Sequence, residues 1–111
     1  MFCLSLNRVH DRVRITEGDD KLDLRIDADP MRMVAGLSAA QKRLKAVNEE
    51  TTDDEIRDAA LYFAGVIFGT EQAAALLDFY HGDPACVINV CGRYFSMRLA
   101  KLIEKAQKKM K

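Results

Sequence analysis

The sequence predicts an α+β fold, an N-terminal β-hairpin or small antiparallel sheet followed by a four-helix C-terminal part. Three observations carry that expectation. Arg12–Glu17 and Lys21–Asp27 alternate apolar with polar residues, and Gly18-Asp19-Asp20 between them is turn composition. After Asp29-Pro30 the apolar spacing changes from two to three and four, the period of a helix. Two later breaks, at Gly69 and at His81-Gly82-Asp83-Pro84, divide the remainder into helices approximately spanning 53–68, 71–81 and 84–109.

In the hairpin, Val13 and Ile15 share one side of the first strand, and Leu22, Leu24 and Ile26 share one side of the second. An isolated hairpin is marginal in water, so this apolar face must lie on helices or on further strands. The opposite face, with Arg12, Arg14, Asp23, Arg25 and Asp27, is expected to be solvated. Phe2–Asn7 is short and apolar, and reads as an edge strand or an N-terminal arm.

Asp29 is placed to cap the first helix, with Pro30 at its first position. Met33, Leu37, Ala40, Leu44 and Val47 then fall on one face, which predicts an amphipathic helix over 30–48. Thr52 and Glu55 form a capping box for the second helix. Asp53, Asp54 and Glu55 suit the positive end of its dipole, each by about 0.3–1 kcal/mol. From Ala59 this helix carries no charge, and Ile56, Ala60, Phe63 and Ile67 line one face while Leu61, Ala64 and Phe68 extend another. It is expected to be the central core helix.

Gly69 is read as a left-handed C-terminal stop and Thr70 as the next N-cap. The short helix that follows is apolar over more of its circumference than one core contact requires, through Ala73, Ala74, Leu76, Leu77, Phe79 and Tyr80. It is either sandwiched between neighbours or partly turned to a partner. In the last helix Ile88, Cys91, Phe95, Leu99, Leu102, Ala106 and Met110 form one stripe. Val87, Val90, Tyr94 and Met97 add a second apolar face, and beyond Arg98 that face turns basic with Lys101, Lys105 and Lys108.

The 111 residues support a single domain, 1–111, with 1–29 as the hairpin region and 30–111 as the helical region. At 49% hydrophobic the chain is expected to fold, and its net charge of +0 provides no global field for nucleic acid or membrane. No apolar run approaches the roughly 20 residues that cross a bilayer. Met1–Leu6 lacks the basic start of a signal peptide, so a cytoplasmic location with reduced cysteines is expected.

No catalytic, cofactor or metal site is expected, and the chain is read as a non-enzyme. Cys86 and Cys91 lie well apart around a helix, Cys3 is distant, and all three read as small apolar residues. His10 and His81 have no nucleophile in a recognisable context, and His81 falls where a helix ends. Asp53, Asp54 and Glu55 lack calcium-loop spacing. The residues bet on for partner contact are Leu76, Leu77, Phe79, Tyr80, Tyr94 and Met97.

Several stretches carry a family resemblance. They are Phe68-Gly69-Thr70-Glu71-Gln72-Ala73, Leu76 through Pro84, Tyr94-Phe95-Ser96-Met97-Arg98-Leu99 and Lys105-Ala106-Gln107-Lys108-Lys109, with the earlier Asp27-Ala28-Asp29-Pro30 joint. Together they resemble the C-terminal half of small phage and prophage proteins of siphophage tail modules, the tail assembly chaperones (tail-component chaperones). The resemblance implies a chaperone, acting in the cytoplasm of a bacterial host cell, that coats the tape measure protein through apolar helical surfaces. It implies help in recruiting tail tube protein, and many such chaperones also have a longer frameshifted form. Self-association is a further partner option, given the acidic 49–58 stretch and the basic end. The alternative is a small nucleic-acid-associated or regulatory helical protein using the basic C-terminal helix.

Overall fold

Two nine-residue strands, five α-helices and one π-helical turn follow one another along the chain in a computed structural model that describes residues 8–109. The expectation for Phe2–Asn7 falls outside the described residues, as do Cys3 and Met110.

Strands β1 (Val9–Glu17) and β2 (Asp20–Ala28) pair antiparallel, from Val9 with Ala28 to Glu17 with Asp20. Each is longer than its alternating stretch suggested, and the turn is only Gly18-Asp19. Gly18 has φ 62 at the first turn position, as a type II′ turn asks. The register sets Val13 against Leu24 and Ile15 against Leu22, so the apolar phases share one face. Val9, Ile15, Leu24 and Ile26 are buried there.

Helix α1 (Pro30–Lys45) starts as expected, with Asp29 accepting from the Met31 N–H at 3.0 Å. It ends earlier than predicted. Asn48 is held in a turn instead, taking the Glu50 N–H on its Oδ1 at 2.8 Å and donating its own N–H to Thr51 Oγ1 at 2.9 Å. Local side-chain bonds of this kind compete with helix, and Val47 is left exposed. Helix α2 (Asp53–Phe68) opens on the expected capping box: Thr52 Oγ1 accepts from the Glu55 N–H at 3.2 Å, and Glu55 Oε1 accepts from the Thr52 N–H at 3.4 Å. It touches α1, β2 and both following helices, as a central helix should.

Gly69 alone joins α2 to α3 (Thr70–Phe79). Its φ of 89 and ψ of 160 are not the left-handed helical stop expected, and Thr70 is the first helical residue rather than a cap. Such a backbone is essentially restricted to glycine. The stop after α3 also differs. His81, at φ 59, takes the left-handed position, with its N–H bonded to Asp78 O and the Gly82 N–H to Leu77 O. This is a Schellman motif with histidine where glycine is usual.

Helix α4 (Pro84–Tyr94) is capped by Asp83, which accepts from the Ala85 N–H at 3.0 Å. It runs through a π-helical turn (Phe95–Leu99) into α5 (Ala100–Lys109). The single long helix expected is therefore continuous but carries one extra residue in its middle. The buried positions are Val87, Cys91, Leu99, Ile103 and Ala106. Ile88 and Leu102, which strict α periodicity placed on the stripe, are only half-buried. Across twelve residues an ideal α-helix would set Val87 and Leu99 about 120° apart, and the wider π turn brings them back to one side.

Candidate functional site

The six residues expected to meet a partner do not form one exposed surface. Leu76 is fully buried, while Leu77, Phe79, Tyr80 and Tyr94 are half-buried and pack on the core. Only Met97 is open, at 71% exposure. The physical reason lies in α3, which contacts α2, α4 and β2 and spends much of its wide apolar arc inside the molecule. Phe79 and Tyr80 meet edge to face at 5.1 Å, and both residues are half-buried.

An open apolar groove lies elsewhere, between α1 and the π turn with α5. Val34, Leu37, Ser38 and Gln41 form one wall, and Phe95, Ala100 and Ile103 the other, around about 280 Å3. Val34 is 40% exposed within it, and Met31, one turn earlier on α1, is 59% exposed. Among the described residues these two and Val47 are the large apolar side chains that α1 and its C-terminal end leave in water, alongside Met97 on the π turn.

The π turn that shapes one wall is also pinned from behind. Asp11 falls in phase with Val9 and Val13, so its carboxylate points to the covered face of the hairpin and is only 6% exposed. Tyr94 Oη donates to Asp11 Oδ2 at 2.6 Å, Arg98 Nη2 donates to Oδ1 at 2.8 Å, and Arg98 Nε donates to Oδ2. Burial pushes the Asp11 carboxyl up, but Arg98, Tyr94 and the Arg12 N–H together bring it below the usual carboxylate value. Burial, then the adjacent Asp11 carboxylate, push the Tyr94 phenol far up. The cluster ties β1 to the junction of α4 with the π turn, and the Tyr94 ring also lies 5.9 Å from that of Phe68.

Sequence reasoning missed Asp11 because its first alternating stretch began at Arg12. The available signal was a carboxylate on the apolar phase of a strand, which requires a buried cation or donor to satisfy it. It also missed Gln72, whose amide is bonded to the main chain of β2. Gln72 Oε1 accepts from the Arg25 N–H at 2.8 Å, and Nε2 donates to Arg25 O at 2.6 Å and to Phe68 O at 2.5 Å.

On the solvated face of the hairpin Arg8 pairs with Asp27 at 2.6 Å and Arg14 with Asp23 at 2.8 Å. Those guanidinium bonds hold both carboxyls below their usual value. His81 sits on the surface, and His10 lies 3.6 Å from Asp27. Cys91 is fully buried, its thiol pushed up to about 12 by burial. Cys86 is not a core residue: half-buried, it donates from Sγ to Asp83 Oδ2 at 3.3 Å, a bond that raises its pKa. Asp53, Asp54 and Glu55 lie in the first turn of α2. Among the described residues no three potential ligands group as a metal site, and no helix is long and apolar enough to cross a membrane.

Compared with protein-family models, with curated proteins and with solved structures, the chain gives no match.

Proposed function

We propose that this chain is a non-catalytic tail assembly chaperone of the siphophage type, which holds a helical segment of a tape measure protein against its own apolar helical surface. The observation that carries the reading is the open groove between α1 and α5, with Val34 and Met31 exposed beside it. An amphipathic helix presents apolar side chains at every third or fourth position, and an open trough between two helices matches that spacing. The exposed Met31 suits such a role, because methionine adapts to varied apolar partners. Phe79 and Tyr80 offer a second accessible apolar point. Recruitment of tail tube protein, self-association and action in the bacterial cytoplasm belong to the same reading.

Co-expression with a siphophage tape measure protein tests it. A recovered complex and a tape measure kept in solution are the expected results. A tape measure equally soluble without this chain, with no complex formed, overturns the assignment.

A nucleic-acid-associated role has one observation in its favour. Lys101 and Lys105 are exposed on α5 with no carboxylate in salt-bridge range among the described residues, whereas Lys108 pairs with Glu104 at 3.5 Å. Duplex DNA binding that weakens steeply with salt would favour it over the chaperone reading.

A further inference from the structure

We propose that the outer edge of β1 receives an extended acidic segment of another polypeptide, which adds to the hairpin as a third strand and sets a carboxylate by Arg12 and Arg25. This surface is separate from the groove between α1 and α5, and the inference stands without it.

A two-stranded sheet has two edges, and the centre of the β2 edge is blocked at Arg25, whereas the β1 edge carries no such block among the described residues. Gln72 takes both the N–H and the C=O of Arg25, as the peptide group of a neighbouring strand would. The same bonds fix which way β1 faces. With the Arg25 main chain turned away from β1, its partner Arg12 is in a non-hydrogen-bonded pair. By alternation His10, Arg12, Arg14 and Thr16 all direct their main-chain groups outward. The Arg12 N–H leans on the Asp11 carboxylate. The outward N–H groups of His10, Arg14 and Thr16 find no partner in another element among the described residues. An edge of this length is a template for strand addition unless something discourages it.

Charge selects the occupant. Beside the centre, Arg14 lies opposite Asp23 and bonds to it, and Asp27, which lies opposite His10, is bonded by Arg8, but the central row sets Arg12 directly against Arg25. Non-hydrogen-bonded partners are the closer kind, about 4.5 Å between Cα atoms, and like charges placed so are destabilising. Neither guanidinium has a carboxylate within salt-bridge range among the described residues. A face shaped only for water would alternate signs there, as its neighbours do.

The same arginines argue against a second copy as the occupant. Antiparallel registers of β1 with itself, centred on the strand, bring Arg12 or Arg14 opposite an arginine of the copy. A strand with Asp or Glu at alternate positions reverses that repulsion. Its residue opposite Arg12 would project on the same face, beside Arg12 and towards the long side chain of Arg25.

The test uses the full chain, labelled with 15N, and two blocked octapeptides that alternate Thr with Glu or Thr with Lys. The Glu peptide is expected to shift the amides of His10, Arg14 and Thr16 and to slow their hydrogen exchange. Its affinity should fall steeply as salt is raised. Arg12→Glu should weaken it at least tenfold while raising the melting temperature, because the like-charge row becomes an opposite-charge one. Arg25→Glu serves as the second variant, since Gln72 holds only the main chain there. Four results would overturn the proposal: no binding of the Glu peptide, equal binding of both peptides, shifts confined to another surface, or a dimer whose edge amides are already protected without peptide. A single-stranded oligothymidylate that binds more tightly and leaves those amides exchanging freely would overturn it too.

Discussion

Replacing Asp11 by Asn removes the charge on which Arg98 and Tyr94 converge. The site is only 6% exposed, so the loss of charge-assisted bonds should cost about 2 kcal/mol, read as a lower midpoint in urea. Tyr94→Phe deletes one of those bonds and should cost less. The pH dependence follows from the two shifts. The folded Asp11 carboxyl lies below its ordinary 3.8, so its contribution is complete above that value and is lost as pH falls through the folded value. The Tyr94 phenol lies above its ordinary 10.0, so its contribution is complete below pH 10 and is lost at higher pH. Asp11→Asn should therefore flatten the acid limb of the stability curve, and Tyr94→Phe the alkaline limb. Unchanged limbs in both variants would remove the cluster from the account of stability.

Two backbone positions make opposite predictions at the same scale. His81 adopts φ 59 with a side chain that gains nothing from it, so His81→Gly should stabilise by about 1 kcal/mol. Gly69, at φ 89 and ψ 160, occupies a region that disfavours any Cβ, so Gly69→Ala should destabilise by about 1–3 kcal/mol. Space is not the cause, because nothing lies within 4 Å of where that Cβ would stand. Thermal melts of the two variants check both signs.

Among the elements, the π turn makes the sharpest claim. Its extra residue is what keeps Cys91 and Leu99 on one side of the rod. Deleting exposed Ser96 should convert the turn to α-helix and leave both flanking faces in place. Deleting exposed Lys101 should force either Leu99 or the Ile103–Ala106 pair off the core, at about 2–5 kcal/mol. Comparable losses in the two deletion variants, by circular dichroism melts, would refute this role for the turn. Close packing gives a second claim at this scale. A Cβ on Gly36 would stand 2.8 Å from Val66 Cγ1, and a β-branched neighbour yields poorly. Gly36→Ala should loosen α1 from α2 by about 1–3 kcal/mol.

Caps and periods explain which elements could be read from the chain alone. Asp29-Pro30, Thr52 with Glu55 and Asp83-Pro84 each start a helix where local chemistry says, because a cap is satisfied within three residues. The hairpin was legible through its alternation. The helix stops were less so, since Asn48 and His81 are set by competing turns whose outcome depends on several groups at once. The π turn left a trace in the sequence as an i, i+4 run, Val87, Cys91, Phe95, Leu99 and Ile103, which a strict 3.6 period cannot hold on one face. The groove left none. It exists only because α1 and α5, more than fifty residues apart in the chain, come together, and single-helix patterns do not report on pairs.

For the whole molecule, shape matters as much as composition. The radius of gyration is 14.6 Å, where a compact chain of this length would have about 13 Å, and the extents are 48 × 35 × 24 Å. An elongated body has more surface for its core and more troughs between helices. If the trough between α1 and α5 is where a helical partner lies, Val34→Glu should abolish capture of the tape measure protein. It should leave the melting temperature nearly unchanged, because a surface substitution at a 40% exposed site costs within about 0.5 kcal/mol. Met97→Glu is the matched control. Met97 lies in a separate shallow recess with Ile88, Gly92 and Ser96, so the same charge placed there should leave capture intact. The reverse result, capture lost with Met97→Glu and kept with Val34→Glu, would move the contact to the exposed side of α4 and the π turn, and would reject the groove as its site.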